Sequence, residues 1–135
     1  MKGLQDPQCQ AKLEKLFQLD WTGFDVWAVG GIVSNWETPD IDLVLLGEYD
    51  EQRIVDLMVA VKQIGLIDMF YTQDSRFHRH DAIYRDKQRS AQIKKGKLEW
   101  NTLLFPTVKY KMRRKKGFYY GEPVQLIQNG VQIYL

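Results

Sequence analysis

Cysteine is nearly absent. Cys9 is the only one in 135 residues, which excludes an intramolecular disulfide and any cysteine-rich zinc site. Histidine is almost as scarce: His78 and His80 flank Arg79, with too few ligand-type neighbours nearby for a zinc centre. No apolar run approaches the roughly 20 residues that span a bilayer, so no membrane partner is expected. The segment from Met1 to Pro7 has no apolar stretch of the secretory type, and the expected location is the cytoplasm. Repeats, low-complexity tracts and clear linkers are also missing, and the length suits one domain, 1–135.

What is present divides by charge. Residues 1–75 carry five Lys+Arg against thirteen Asp+Glu, a net of −8, and residues 76–135 carry fourteen against four, a net of +10. The two halves could simply attract each other in the fold. The functional reading is a partner that presents both cations and phosphates, such as a metal–nucleotide or a nucleic acid.

Periodicity supplies the elements. Cys9, Leu13, Leu16 and Phe17 predict a helix over 8–19, with Asp6-Pro7 as its start signal. Phe24 to Val29 reads as a strand ending at Gly30-Gly31, and Ile41 to Leu46 as a nearly continuous apolar strand of central type. Ile54, Leu57, Met58, Val61 and Ile64 predict a helix over 51–64, with Asp50 to cap it and Gly65 to close it. Leu66 to Tyr71 reads as a third strand. The polar, basic stretch from Gln73 to Lys97 reads as a short helix or a loop, and Glu99 to Met112 as a strand interrupted at Pro106. Val124 to Gln128 and Val131 to Leu135 flank Asn129-Gly130, the signal of a type I′ hairpin. The fold class expected is α/β or α+β: a mixed sheet with helices on one side, built from a core over 1–75 and a basic, β-rich extension over 76–135.

The segment with chemical content runs from Val29 to Val44. Asp40 and Asp42 are two apart, and on a strand they share one face about 6.6 Å from each other. Asp42 is embedded among Ile41, Leu43, Val44, Leu45 and Leu46, where an unpaired carboxylate is costly. A strand-end cap at Asp40 and an ion pair at Asp42 form the plainer use of these acids. Two acids aimed at one point make a hard-oxygen site suited to Mg²⁺. Gly30-Gly31 leaves the preceding strand directly, and residues without Cβ let a phosphate approach the backbone; an ordinary tight turn is the alternative.

Val29-Gly30-Gly31, then Asp40-Ile41-Asp42-Leu43 approached through Thr38-Pro39, resembles the signature of the nucleotidyltransferase superfamily. That superfamily includes DNA polymerase beta, tRNA CCA-adding enzymes and small antibiotic-modifying transferases. The resemblance covers roughly residues 24–71. Eight residues, Ile32 to Pro39, separate Gly31 from Asp40, fewer than is usual in the family. Asp68, in an apolar run after the 51–64 helix, matches the family's third carboxylate better than Asp74. The resemblance implies a Mg²⁺- or Mn²⁺-dependent transfer of a nucleotidyl group from a nucleoside triphosphate, ATP among them, to an acceptor hydroxyl. It implies two ions about 4 Å apart on Asp40 and Asp42, with Asp68 completing the second site. It also implies triphosphate contacts from Gly30, Gly31 and Ser34. The alternative is a non-catalytic nucleic-acid- or nucleotide-binding protein on the same fold.

Lys109 to Lys116 holds six basic residues in eight, followed by Phe118, Tyr119 and Tyr120. Lys109, Lys111, Arg113 and Arg114 are the expected contacts to phosphate or to a nucleic-acid acceptor; a solvated edge strand protected by lysines is the plainer use. If about four of these side chains neutralise phosphates on duplex DNA, log K falls with log salt at a slope near −4. Replacing Arg113 and Arg114 with Ala should reduce that slope by roughly 2, as a salt titration of binding by fluorescence anisotropy would show. A slope near zero in the parent protein would exclude the nucleic-acid contact.

Overall fold

The structure, a computed structural model, describes residues 1–73, 90–101 and 122–134. Helix α1 (Pro7–Phe17) starts on Asp6, whose side chain accepts from the Gln8 N–H at 2.9 Å, with Pro7 in the first turn. This is the cap chemistry expected from Asp-Pro. Strand β1 (Phe24–Val29) follows and runs into a 3₁₀ turn at Gly30–Ser34. Strand β2 (Ile41–Gly47), helix α2 (Glu51–Ile64) and strand β3 (Ile67–Thr72) come next. The Asp50 side chain caps α2 by accepting from the Arg53 N–H, and Gly65 closes it. The second half of the chain contributes β4 (Ser90–Lys94), β5 (Lys97–Asn101), β6 (Val124–Gln128) and β7 (Val131–Gln132).

These strands form one mixed sheet in the order β5-β4-β3-β2-β1-β6-β7. Its centre, β1 to β3, comes from the first half of the sequence, and its two margins come from the second. Only β2 and β3 pair in parallel; every other pairing among the described residues is antiparallel. Helix α2 is the crossover that a parallel pair requires.

Alternation along the strands divides the core. Ile41, Leu43 and Leu45 of β2 point with Val26, Ala28, Ile67, Met69 and Tyr71 into a layer covered by both helices, which contribute Leu13, Leu16, Ile54, Met58 and Val61. The opposite parity, Val29, Val44 and Leu46, forms a second cluster joined by Trp27 and Phe70. β2 is thus buried on both faces, as its continuous apolar run required. The chain is an α+β protein; among the described residues both helices lie on one side of a mixed sheet, in agreement with the expected class.

Two local expectations need correction. Ser90–Lys94 is a strand, not the helix or loop expected of the stretch to Lys97. Ala91 pairs with Tyr71 on one side and Trp100 on the other, and its small side chain lets the Tyr71 and Trp100 rings meet across it at 6.1 Å. The final strand is also shorter than the expected 131–135. Past Gln132 the Ile133 and Tyr134 N–H groups both donate to the Leu126 carbonyl, which breaks the one-to-one ladder. The Asn129-Gly130 turn has φ of 48° and 80°, the type I′ conformation. Gly130 is needed for a second reason: a Cβ there would lie 2.8 Å from Thr22 Cα.

Cys9 is fully buried on the inner side of α1, and burial pushes its thiol up to about 11. The thiolate is the reactive form. Iodoacetamide at pH 8 should therefore leave Cys9 unmodified in the native protein and modify it on unfolding, which mass spectrometry would read directly.

Candidate functional site

β1 ends at Val29, which pairs with Asp42. The chain turns at Gly30 and makes a short 3₁₀ helix over Gly30–Ser34, which the short connection to Asp40 leaves no room to extend. Asn35 ends the turn in the left-handed region, at φ 58°, a conformation Asn tolerates. The Trp36 N–H donates back to the Gly31 carbonyl at 3.1 Å. The N-terminal residues hold the rest of the connection: the Met1 carbonyl accepts from the Thr38 N–H at 2.8 Å, and Lys2 bridges Glu37. Thr38 Oγ1 accepts from the Asp40 N–H, and the Ile41 N–H donates to the Leu66 carbonyl, tying the entry of β2 to the entry of β3.

The parallel register then places Asp42 beside Asp68. Both have the parity of Val44 and Phe70, so both carboxylates stand on the face away from the helices. Asp40 immediately precedes β2, so it enters the same end of the sheet, but it lies outside the ladder whose alternation fixes the face of Asp42. Asp40 and Asp42 are half-buried and Asp68 is exposed. Gly30 abuts this row: a Cβ built on it would lie 2.9 Å from Asp42 Oδ2. Ser34 sits on the far side of the turn, with its hydroxyl 3.5 Å from the Gly30 carbonyl. The sequence-predicted acids and glycines therefore share one end of the sheet.

They are not gathered into a protein-only metal cage: among the described residues, no three His, Cys, Asp or Glu side chains lie close enough to hold one ion. Mg²⁺ is commonly held by one or two carboxylates plus substrate phosphates rather than by the protein alone. A row of hard-oxygen donors with paired acids on adjacent strands fits that mode of binding. Lys109, Lys111, Arg113, Arg114, Asp74, His78 and His80 lie outside the described residues.

Comparison of the chain with protein-family models, with curated proteins and with solved structures returned no match. The likeness to nucleotidyltransferases rests on the residues quoted above. No helix among the described residues is long and apolar enough to cross a membrane.

Sequence reasoning missed a cleft of about 430 Å³ between Gly23, Asp25, Glu48, Gln73 and Asn129. It lies at the other end of β2 from the acids, where Asp25 pairs with Leu46 and accepts from the Asn129 N–H. No motif marks it, because its walls come from four separate strand ends.

Asp68 is the member of the row that can be altered without disturbing packing. Asp68→Asn should unfold within about 0.5 kcal/mol of the parent protein in urea, so any loss of ligand binding it causes reports on the site rather than on the fold.

Proposed function

We propose that the protein is a Mg²⁺-dependent nucleotidyltransferase acting on a nucleoside triphosphate and an acceptor hydroxyl. The observation that carries the reading is the parallel pairing of Asp42 with Asp68, with Asp40 just before β2 and the glycine turn against Asp42. Two carboxylates on adjacent strands offer hard-oxygen donors to a cation supplied with the substrate.

In this reading Asp40 and Asp42 present oxygen ligands toward the metal–triphosphate, and the turn at Gly31 and Ser34 lies beside the phosphates. Asp68 faces solvent, where it takes the proton of the acceptor hydroxyl through a carboxylate oxygen. Bound Mg²⁺ supplies charge neutralisation at the triphosphate and a lowered pKa at the acceptor oxygen. The chain's own work is orientation and electrostatics, as in phosphoryl transfer generally.

Dependence on the substrate for metal ligands has a thermodynamic signature. Mg²⁺ or Mn²⁺ alone, and each triphosphate alone, should move the melting temperature little. The two together should raise it by several degrees, since a ligand at 100 times its Kd adds about 2.7 kcal/mol. Asp42→Asn should abolish that shift while the variant remains folded. No shift with any metal–triphosphate pair would overturn the reading.

The absence of a three-ligand group among the described residues favours one second reading, a nucleotide-binding protein without turnover. It predicts the same thermal shift with no release of pyrophosphate, whereas the transferase releases pyrophosphate once the acceptor is present.

A further inference from the structure

The two glycines of the turn have different requirements. Gly30 has φ +77°, and a Cβ on it would lie 2.9 Å from Asp42 Oδ2 and 3.7 Å from Asp42 Cβ. Gly31 has no positive φ, and a Cβ there would meet Trp36 Cβ at 3.5 Å, an ordinary contact. A methyl group at 31 therefore fits, and one at 30 does not. The group in its way at 30 is the end of an acidic side chain, not backbone.

On this basis, and resting on the carboxylate site proposed above, we propose that Gly30 is a positioning residue for Asp42: its missing side chain is the space in which the Asp42 carboxylate is seated. The backbone on both sides of that contact is held, because Val29 and Asp42 are register partners in the centre of the sheet. A Cβ at 30 therefore meets a fixed main chain and a movable carboxylate. The carboxylate yields, by rotating about its Cα–Cβ bond to another staggered position. Its new direction departs from that of its register neighbour Asp68. The assignment differs from the expectation that both glycines open the backbone to phosphate; that part falls to Gly31.

The Asp42 side chain can be observed without any ligand. In protein labelled with ¹³C at aspartate carboxyls, the Asp42 resonance is assigned from its loss in Asp42→Asn. Two variants separate the Cβ from backbone strain: Gly30→Ala carries both, whereas Gly30→Asn carries the Cβ on a residue that tolerates positive φ. Each should fold and displace the Asp42 resonance while leaving that of Asp68, and Gly31→Ala should leave both in place. A folded Gly30→Asn with the parental Asp42 resonance would overturn the proposal, as would an equal displacement by Gly31→Ala.

Should neither Gly30 variant fold, Gly30→Asn is made together with Asp42→Ala, which removes Oδ2 and leaves Cβ at an acceptable distance. Recovered folding supports the contact, and failure to recover refutes it. Binding of Mn²⁺ with ATP is the second readout. Gly30→Asn should weaken it on the order of tenfold, the scale seen when a ligand's orienting partner is lost, with Gly31→Ala retaining the Asp42 resonance whatever its affinity. If the parent protein binds no Mn²⁺ with ATP, the transferase reading fails, and the Asp42 resonance still decides the role of Gly30.

Discussion

The parity of β2 is the constraint on which the rest of the molecule depends. Its odd-numbered residues, Ile41, Leu43 and Leu45, enter the layer beneath the two helices, and its even-numbered ones, Val44 and Leu46, enter the cluster on the opposite face. A one-residue slip against β1 or β3 would drive Asp42 under the helices and turn Leu43 outward. Each buried apolar side chain on either face therefore resists the slip, and together they hold the Asp42 carboxylate on the face opposite α1 and α2.

Helix α2 adds the second constraint. It returns the chain so that β3 begins beside the beginning of β2, with Ile41 paired to Ile67. Acids near the starts of two parallel strands then come to the same end of the sheet. An antiparallel connection would have placed Asp68 at the other end, among the residues of the cleft near Asp25. The same geometry explains why the short connection from Gly31 to Asp40 suffices: β1 is antiparallel to β2, so the glycine turn is already at that end and the chain only has to reverse. Residues 1–2 hold this reversal from outside, through Met1 to Thr38 and Lys2 to Glu37.

The elements legible in the sequence were those whose pattern is local. The bounds of α2 and the start of β2 follow from apolar spacing and from Asp50 and Gly65, and Asn129-Gly130 announced its turn. β4 was illegible because Ser90, Gln92 and Lys94 dominate its composition and only Ala91 and Ile93 point inward. A strand with so small an inward residue is made by its neighbours, here by the rings of Tyr71 and Trp100 closing over Ala91. The end of the last strand was illegible for a related reason: two successive N–H groups reach the same carbonyl of Leu126, a competition that no local pattern records.

Residue order by itself determined that an acid at 42 lies inside an apolar strand, with a second acid at 40 at its entry. It also determined that a glycine pair leaves the strand before them. Tertiary structure alone decided that Asp68 stands next to Asp42, since that adjacency depends on the register of two strands joined through a 14-residue helix. It alone distinguished Gly30 from Gly31, which are identical as letters. A Cβ on one would meet a carboxylate twelve residues further along the chain at 2.9 Å, and a Cβ on the other would meet the tryptophan just past the turn at an ordinary 3.5 Å. Proximity across a sheet is set by packing of the whole core, and packing is the part of the physics that a local pattern does not contain.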